Sequence, residues 1–172
     1  MAGYLDRIDR NTPGPRDDVS PLFADRTAFA AVIDALGERC DPLGYDAIAG
    51  IDALGFVVGA ALARRAGCGL IVIRKAGRLP VPALYEVFVD YTGTEKTLEL
   101  RADLVAPGAR VLVVDEWIET AAQASAAVRL IERAGGRVVG IATIHADGSA
   151  GARALRGRYP LVALAGDLGA DG

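Results

Sequence analysis

Short runs of consecutive apolar residues recur along this chain, and segments with helical spacing separate them. The strands that these runs predict lie at 45–51, 70–73, 110–115, 137–144 and 161–164. A strand that is apolar throughout, rather than at alternate positions, is typical of a parallel sheet covered on both faces. The sequence therefore predicts an α/β fold in which helices flank a central parallel sheet.

The segments between these runs predict the helices. From 25 to 40, apolar residues recur at the three- and four-residue steps of one helix face, and Asp25 or Thr27 is a candidate N-cap. Further helices are predicted at 55–66, 120–134 and 153–156. A chain of 172 residues fits a single domain, so we expect residues 1–172 to form one.

Two segments depart from this alternation. Residues 1–24 contain Pro13, Gly14, Pro15 and Pro21, which predicts an irregular N-terminal arm rather than a helix. Residues 76–97 begin with a proline-containing loop, alternate polar and apolar side chains, and then enter a turn. This pattern predicts an exposed hairpin that acts as a flexible flap.

Composition limits the binding partners and the cellular location that we expect for this protein. The net charge is −3, which argues against a general nucleic-acid binder. Mean hydropathy is +0.28, but the apolar stretch at 53–63 is too short to span a membrane. Only two cysteines are present, too few for a disulfide framework, and the first residues contain no apolar leader. We therefore expect a cytoplasmic protein with no membrane and no nucleic-acid partner.

Polar residues follow three of the predicted strands, where ligands bind in folds of this class. They are Asp52, Arg74-Lys75 and Asp115-Glu116. Adjacent carboxylates can accept hydrogen bonds from a sugar diol, and the amides of the helix that follows can hold a phosphate. Segment 111–123 could thus bind a ribose 5-phosphate, although acids at strand ends are also common as solvated caps.

Segment 111–123 resembles the phosphoribosyl-pyrophosphate motif of the type I phosphoribosyltransferases, and the chain resembles their adenine-specific branch in particular. Four apolar residues, two acids and a threonine-containing phosphate loop carry this resemblance. Other segments are similar to further motifs of the family in consistent order between about residues 13 and 165. They are the base-side arm at 18–22, the pyrophosphate loop at 45–56, the cationic motif at 74–80, and the catalytic loop at 90–91 with 98–100.

The resemblance implies a type I phosphoribosyltransferase-like fold with a small N-terminal hood, and it implies roles for particular residues. The ribose hydroxyls would bind Asp115 and Glu116, and the 5′-phosphate would bind Thr120, Ala121, Ala122 and Gln123. The diphosphate would bind Asp52, Ala53, Arg74, Lys75 and Arg78, some of these across a homodimer interface. Asp90 and Tyr91 would close over the reacting centre as catalytic residues. Mg²⁺ would enter with the diphosphate, without direct protein ligands.

Several positions depart from the family pattern. Thr120-Ala-Ala-Gln123 stands where the family has Thr-Gly-Gly-Thr, and Glu119 replaces the usual alanine. Leu54 replaces an arginine, and Asp90 replaces a glutamate. In the base-side arm, Asp17 stands at an arginine position, unless a one-residue insertion restores Arg16 there. Trp117 is read as an apolar residue under the loop.

Two functions follow from these observations. In the first, the chain transfers a phosphoribosyl group from phosphoribosyl pyrophosphate to a purine or purine-like base and releases diphosphate. In the second, it is a catalytically impaired regulator or partner that binds a nucleotide or sugar phosphate on the same fold. The retained acids and cations favour catalysis, and the altered phosphate loop favours binding alone.

Overall fold

A computed structural model describes residues 3–13, 17–77 and 79–168 of the chain. Eight strands of the described residues join in one sheet. They are β1 (Ala47–Ile51), β2 (Gly69–Lys75), β3 (Leu84–Val89), β4 (Glu95–Leu100), β5 (Arg110–Val114), β6 (Trp117–Ile118), β7 (Arg137–Ala146) and β8 (Leu161–Ala165).

The centre of the sheet is parallel, as the apolar runs predict. β2, β1, β5, β7 and β8 lie side by side in that order with parallel pairing. The hairpin of β3 and β4 joins the β2 edge with antiparallel pairing, so the complete sheet is mixed. The carboxyl ends of the parallel strands all meet at one edge.

Helices cover both faces of this sheet. The described helices are α1 (Ser20–Ala24), α2 (Arg26–Cys40), α3 (Leu54–Ala66), α4 (Ala122–Arg133) and α5 (Ala150–Arg156), with short 3₁₀ turns at Gly3–Arg7, Asp41–Leu43 and Ala102–Leu104. Of the two candidate caps for α2, Asp25 is the one that acts, because its carboxylate accepts from the amides of Thr27 and Ala28.

The core divides into two clusters, one on each face of the sheet. Along β5, Leu112 and Val114 pack toward α2 and α3, whereas Val111 and Val113 pack toward α4 and α5. This split follows from the period-two alternation of side chains along a strand. All four side chains are fully buried, which explains the continuous apolar run in the sequence.

The N-terminal arm is more regular than predicted. Gly3–Arg7 forms a 3₁₀ turn, Ser20–Ala24 forms a short helix, and Asp9 pairs with Asp18 through two backbone hydrogen bonds of 2.9 Å. Pro21 lies in the first turn of α1, where its missing N–H removes no helical hydrogen bond. The prediction of an irregular arm is therefore wrong for Ser20–Ala24, where the proline is compatible with a helix.

The predicted hairpin is present, but only part of it is exposed. Leu98 and Leu100 of β4 are fully buried against β2, whereas Tyr85, Val87 and Val89 of β3 are about half exposed. β4 is thus an integral strand of the sheet, and the β3–β4 turn is the part that projects. No helix among the described residues is long and apolar enough to cross a lipid bilayer.

Candidate active site

The acid pair interrupts a strand that would otherwise be continuous. β5 and β6 both lie beside β7, and Asp115 and Glu116 occupy the break between them. Backbone bonds continue through the break, because the amide of Asp115 donates to Ala142 (3.1 Å) and the amide of His145 donates to the Glu116 carbonyl (3.2 Å). The acids are therefore held by the sheet itself, at the carboxyl edge.

The Asp115 side chain is buried and has donors at both oxygens. It is 3% exposed. Its Oδ1 accepts from the Glu116 amide (3.0 Å), and its Oδ2 accepts from Nε2 of Gln123 (2.9 Å). Burial and, to a lesser degree, the neighbouring Glu116 carboxylate hold the pKa of Asp115 well above its ordinary value.

The start of α3 lies directly against this carboxylate. A Cβ at Gly55 would lie 2.8 Å from the Val114 carbonyl oxygen and 3.0 Å from Oδ1 of Asp115. Only glycine allows this close approach between helix and strand. The packing brings the turn before α3 to the same edge of the sheet as the acids.

The proposed phosphate loop leads into α4. Ala121 has a left-handed conformation with φ 62°, and α4 begins at Ala122. The first turn of a helix points N–H groups that have no intrahelical acceptor toward the loop. The loop rests on α5, since Ser149 Oγ donates to the Glu119 carbonyl (2.5 Å).

The predicted pyrophosphate loop forms the opposite wall. The Asp52–Ala53 peptide bond is cis. The Asp52 amide donates to the Ile73 carbonyl (2.9 Å), and the Asp52 carboxylate accepts weakly from the Lys75 amide (3.4 Å). These bonds join the loop to the end of β2.

The β3–β4 turn supplies a third wall. Asp90 accepts from the amide and hydroxyl of Thr92 (2.9 and 2.5 Å) and from the Thr94 amide (3.1 Å). The hydroxyl bond is the main reason that the pKa of Asp90 is lowered. In this structure the carboxylate shapes the turn, and the neighbouring Tyr91 is 48% exposed.

These walls enclose a cavity of about 380 Å³. Every predicted site residue lines it except two: Arg74 lies outside the lining, and Arg78 lies outside the described residues. Successive side chains on a strand point to opposite faces, which separates Arg74 from the cavity-lining Lys75. Glu119 also lines the cavity, so it lies on the inward side of the loop.

Sequence reasoning missed Lys96, which also lines the cavity. It lies on β4 two and four residues before the buried Leu98 and Leu100. Because strand side chains alternate, this spacing places Lys96 on the same face as both leucines. The turn predicted in this segment is shorter than expected, because Glu95–Leu100 is strand β4.

A second, smaller cavity of about 230 Å³ adjoins the first. It is lined by Asp17, Asp18, Val19, Leu54, Glu116 and Trp117, so the N-terminal arm forms one side of it. Leu54, Glu116 and Trp117 line both cavities. Glu116, the second acid of the pair, therefore lies between the two cavities.

Trp117 is buried, as predicted, and its ring is firmly placed. It stacks on the His145 ring with centroids 3.7 Å apart and an interplanar angle of 11°. His145 Nε2 in turn lies 2.9 Å from Asp147 Oδ1. The stack fixes one wall of both cavities.

The described residues contain no cluster of three or more histidine, cysteine or acidic side chains placed to hold a metal ion. Mg²⁺ takes oxygen ligands and usually keeps water and substrate phosphates in its shell. The carboxylates around the cavity suit such an ion only when a ligand brings most of the shell with it.

Comparison with known proteins gives consistent matches. A family model described as the phosphoribosyl transferase domain matches residues 21–159. The adenine phosphoribosyltransferase of Kineococcus radiotolerans is 43% identical over 165 residues, which cover 95% of this chain and 89% of the relative. That of Thermobifida fusca is 42% identical over 150 residues, covering 84% and 85%.

Solved structures agree with these relatives. Adenine phosphoribosyltransferase from Thermoanaerobacter pseudethanolicus superposes with a TM-score of 0.87 at 30% identity, covering 95% of this chain and 97% of the other. The Saccharomyces cerevisiae enzyme, complexed with an imino-altritol bisphosphate and adenine, superposes with a TM-score of 0.81 at 25% identity, covering 96% and 100%.

Proposed function

Because this chain belongs to the phosphoribosyltransferase family, we propose that it transfers the 5-phosphoribosyl group of phosphoribosyl pyrophosphate to a purine base, adenine first among them. One observation carries the proposal. The acid pair, the start of α4 and the loop before α3 face a single cavity of about 380 Å³ at the carboxyl edge of a parallel sheet.

We propose that this cavity holds the sugar by its two ends. The carboxylates of Asp115 and Glu116 accept hydrogen bonds from the ribose hydroxyls. Thr120 and the amides of Ala121, Ala122 and Gln123 bind the 5′-phosphate, where the N-terminal end of the α4 dipole favours negative charge. The hydroxyls and the phosphate then fix the anomeric carbon between the two cavities.

The reaction is a displacement at the anomeric carbon. The bond to the diphosphate oxygen breaks while a base nitrogen forms the new bond, and positive charge develops on the sugar. Negative charge develops on the leaving diphosphate, which we assign to Asp52, Ala53, Lys75 and the missed Lys96. Preorganised cations and amides stabilise that charge most strongly in the transition state.

The base would enter the smaller cavity beside Trp117, under the N-terminal arm. The relatives named for adenine make a purine the first candidate, and the cavity of about 230 Å³ has a size suited to one fused ring system. Among the described residues Asp17 lines this space, and Arg16 lies outside them. The acceptor oxygens of Asp17 favour a base that carries an exocyclic amino group.

We assign closure of the site to Asp90 and Tyr91. Both lie on the projecting turn between β3 and β4, at the rim of the cavity. When the turn closes, it would exclude water, so that hydrolysis does not compete with transfer.

Mg²⁺ belongs to the proposed substrate. The ion would arrive on the diphosphate oxygens and neutralise part of their charge, because the chain itself offers no preformed cage among the described residues. Asp52 lines the cavity on the side that we assign to the diphosphate, so its carboxylate is the one we expect to lie nearest the ion.

Three further features remain part of the proposal. A homodimer would give Arg74, and with it Arg78, a role at a neighbouring subunit's diphosphate. Residues 1–172 would form one domain, since both core clusters pack on the same sheet. A cytoplasmic location fits two cysteines that form no disulfide with one another.

The alternative, a non-catalytic nucleotide-binding partner, is not favoured. It rested on the altered phosphate loop, but the loop leads into a regular helix at the expected position. Relatives that are 41–43% identical over most of the chain are named as transferases.

The test is a base panel with the purified protein, Mg²⁺ and phosphoribosyl pyrophosphate. Adenine, hypoxanthine and guanine are supplied separately, and released diphosphate and nucleoside monophosphate are quantified together. We expect equal amounts of both products with adenine. Correctly folded protein that forms neither product with any base would overturn catalysis, and AMP binding without turnover would instead support the alternative.

A further inference from the structure

The Gln123 side chain links the proposed phosphate loop to the proposed ribose site. Its backbone lies in the first turn of α4, and its amide reaches back over the loop to Asp115, with Nε2 donating to Oδ2 at 2.9 Å. Both residues line the same cavity. One side chain therefore connects the helix that would hold the phosphate to the acid that would hold the hydroxyls.

The contact is specific to this chain's loop sequence. A threonine, the family residue at this place, is too short to span from the first turn of α4 to the acid, whereas glutamine has two more side-chain atoms in its reach. We propose that Gln123 is a positioning residue, which holds the Asp115 carboxylate in the orientation that accepts ribose hydroxyls. This inference rests on the proposed function.

The surroundings of Asp115 make this donor important. The carboxylate is 3% exposed and also accepts from the Glu116 amide. On α3, Gly55 packs against this carboxylate, and on β7 the Ala142 carbonyl accepts from the Asp115 amide; neither residue carries a titratable group. A buried carboxylate that loses a donor is penalised in its ionised form.

Other charged side chains also line the cavity. They are Asp52, Lys75, Asp90, Lys96 and Glu119. The groups that act on the Asp115 carboxyl are Glu116, which raises its pKa, and Gln123, whose side-chain amide lowers it.

The test compares Gln123→Met, which keeps the length but removes the donor, with Ser125→Ala two residues along the same helix. AMP binding is measured by calorimetry from pH 5.5 to 8.5. We expect Gln123→Met to weaken AMP about ten-fold near neutral pH and progressively less as the pH rises, because ionisation of Asp115 moves to higher pH. Ser125→Ala should match the wild type throughout.

A second measurement does not depend on the proposed function. Melting temperatures are recorded over the same pH range for Gln123→Met, alone and combined with Asp115→Asn. The single variant should lose stability more steeply than the wild type as the pH rises, and the Asp115→Asn background should remove that difference. The positioning role would be overturned if Gln123→Met changed neither AMP affinity nor melting temperature, or changed both by an amount that does not depend on pH. A wild type that fails to bind AMP would overturn only the proposed function.

Discussion

Gly151→Ala should displace the proposed phosphate loop through a contact with the Thr120 backbone. Gly151 lies in the first turn of α5, and a Cβ there would fall well inside van der Waals contact of the Thr120 carbonyl oxygen. The obstacle is backbone, so rotation of a side chain cannot relieve it. Either α5 or the loop would have to move by about 1 Å to restore an ordinary contact.

We expect Gly151→Ala to lower activity much more than stability. Backbone shifts of this kind cost about 1–3 kcal/mol, and alanine returns up to about 1 kcal/mol of helix propensity. We therefore expect the melting temperature to fall by no more than about 12 °C. A displacement of about 1 Å in a binding loop can cost about 100-fold in rate, so kcat/KM for phosphoribosyl pyrophosphate should fall by that order.

Gly157→Ala provides the matched control at the other end of α5. Gly157 has φ −67°, and the nearest atoms to its Cβ would lie 3.5 and 3.6 Å away, which are ordinary contacts. This variant should gain about 0.4–1 kcal/mol and keep full activity. If Gly151→Ala retained kcat/KM within about two-fold of Gly157→Ala, the argument that α5 positions the loop would be wrong.

Three other substitutions test the charges of the fold. Asp115→Asn should abolish AMP binding yet raise the melting temperature at pH 8. The pKa of Asp115 is raised by burial, so its stabilising contribution is present at pH 4 and lost as the pH rises, and the gap should close at pH 4. Glu86→Gln should lower the melting temperature by about 2–4 °C, because Glu86 pairs with Arg129 and Arg133 of α4, and 1 M NaCl should shrink the difference. Asp25→Ala should destabilise α2 at neutral pH; the Ala28 amide lowers the pKa of Asp25, so the effect should vanish as the pH falls below about 4.

The fold was predictable wherever burial alone decides the residue type. β5 lies in the middle of the sheet, and both of its faces are covered, so its four apolar residues could only be a buried strand. The hairpin was harder, because β3 turns apolar side chains such as Val87 outward while its inward Glu86 pairs with α4. Tertiary charge pairing of this kind reverses the usual polarity of a strand face and leaves no local signal.

The site was predictable in its residues but not in its contacts. Spacing and resemblance together found the acids, the loop before α3 and the start of α4, all of which line one cavity. They did not find the bond from Gln123 to Asp115, which depends on how α4 leaves the loop. Nor did they separate Arg74 from Lys75, because adjacent strand residues differ in face rather than in type.

Two positions of the altered phosphate loop differ from the family pattern in a way that matters for its structure, Ala121 and Gln123. Ala121 alone adopts positive φ, whereas Ala122 is already helical and incurs no conformational penalty. Holding alanine in the left-handed region costs about 1–2 kcal/mol, and burying its methyl group in the core cluster returns about 0.8 kcal/mol. The loop therefore adopts this conformation without glycine at a net cost that a folded domain tolerates. At the last position, Gln123 replaces the threonine of the family pattern, and its side-chain amide reaches Asp115.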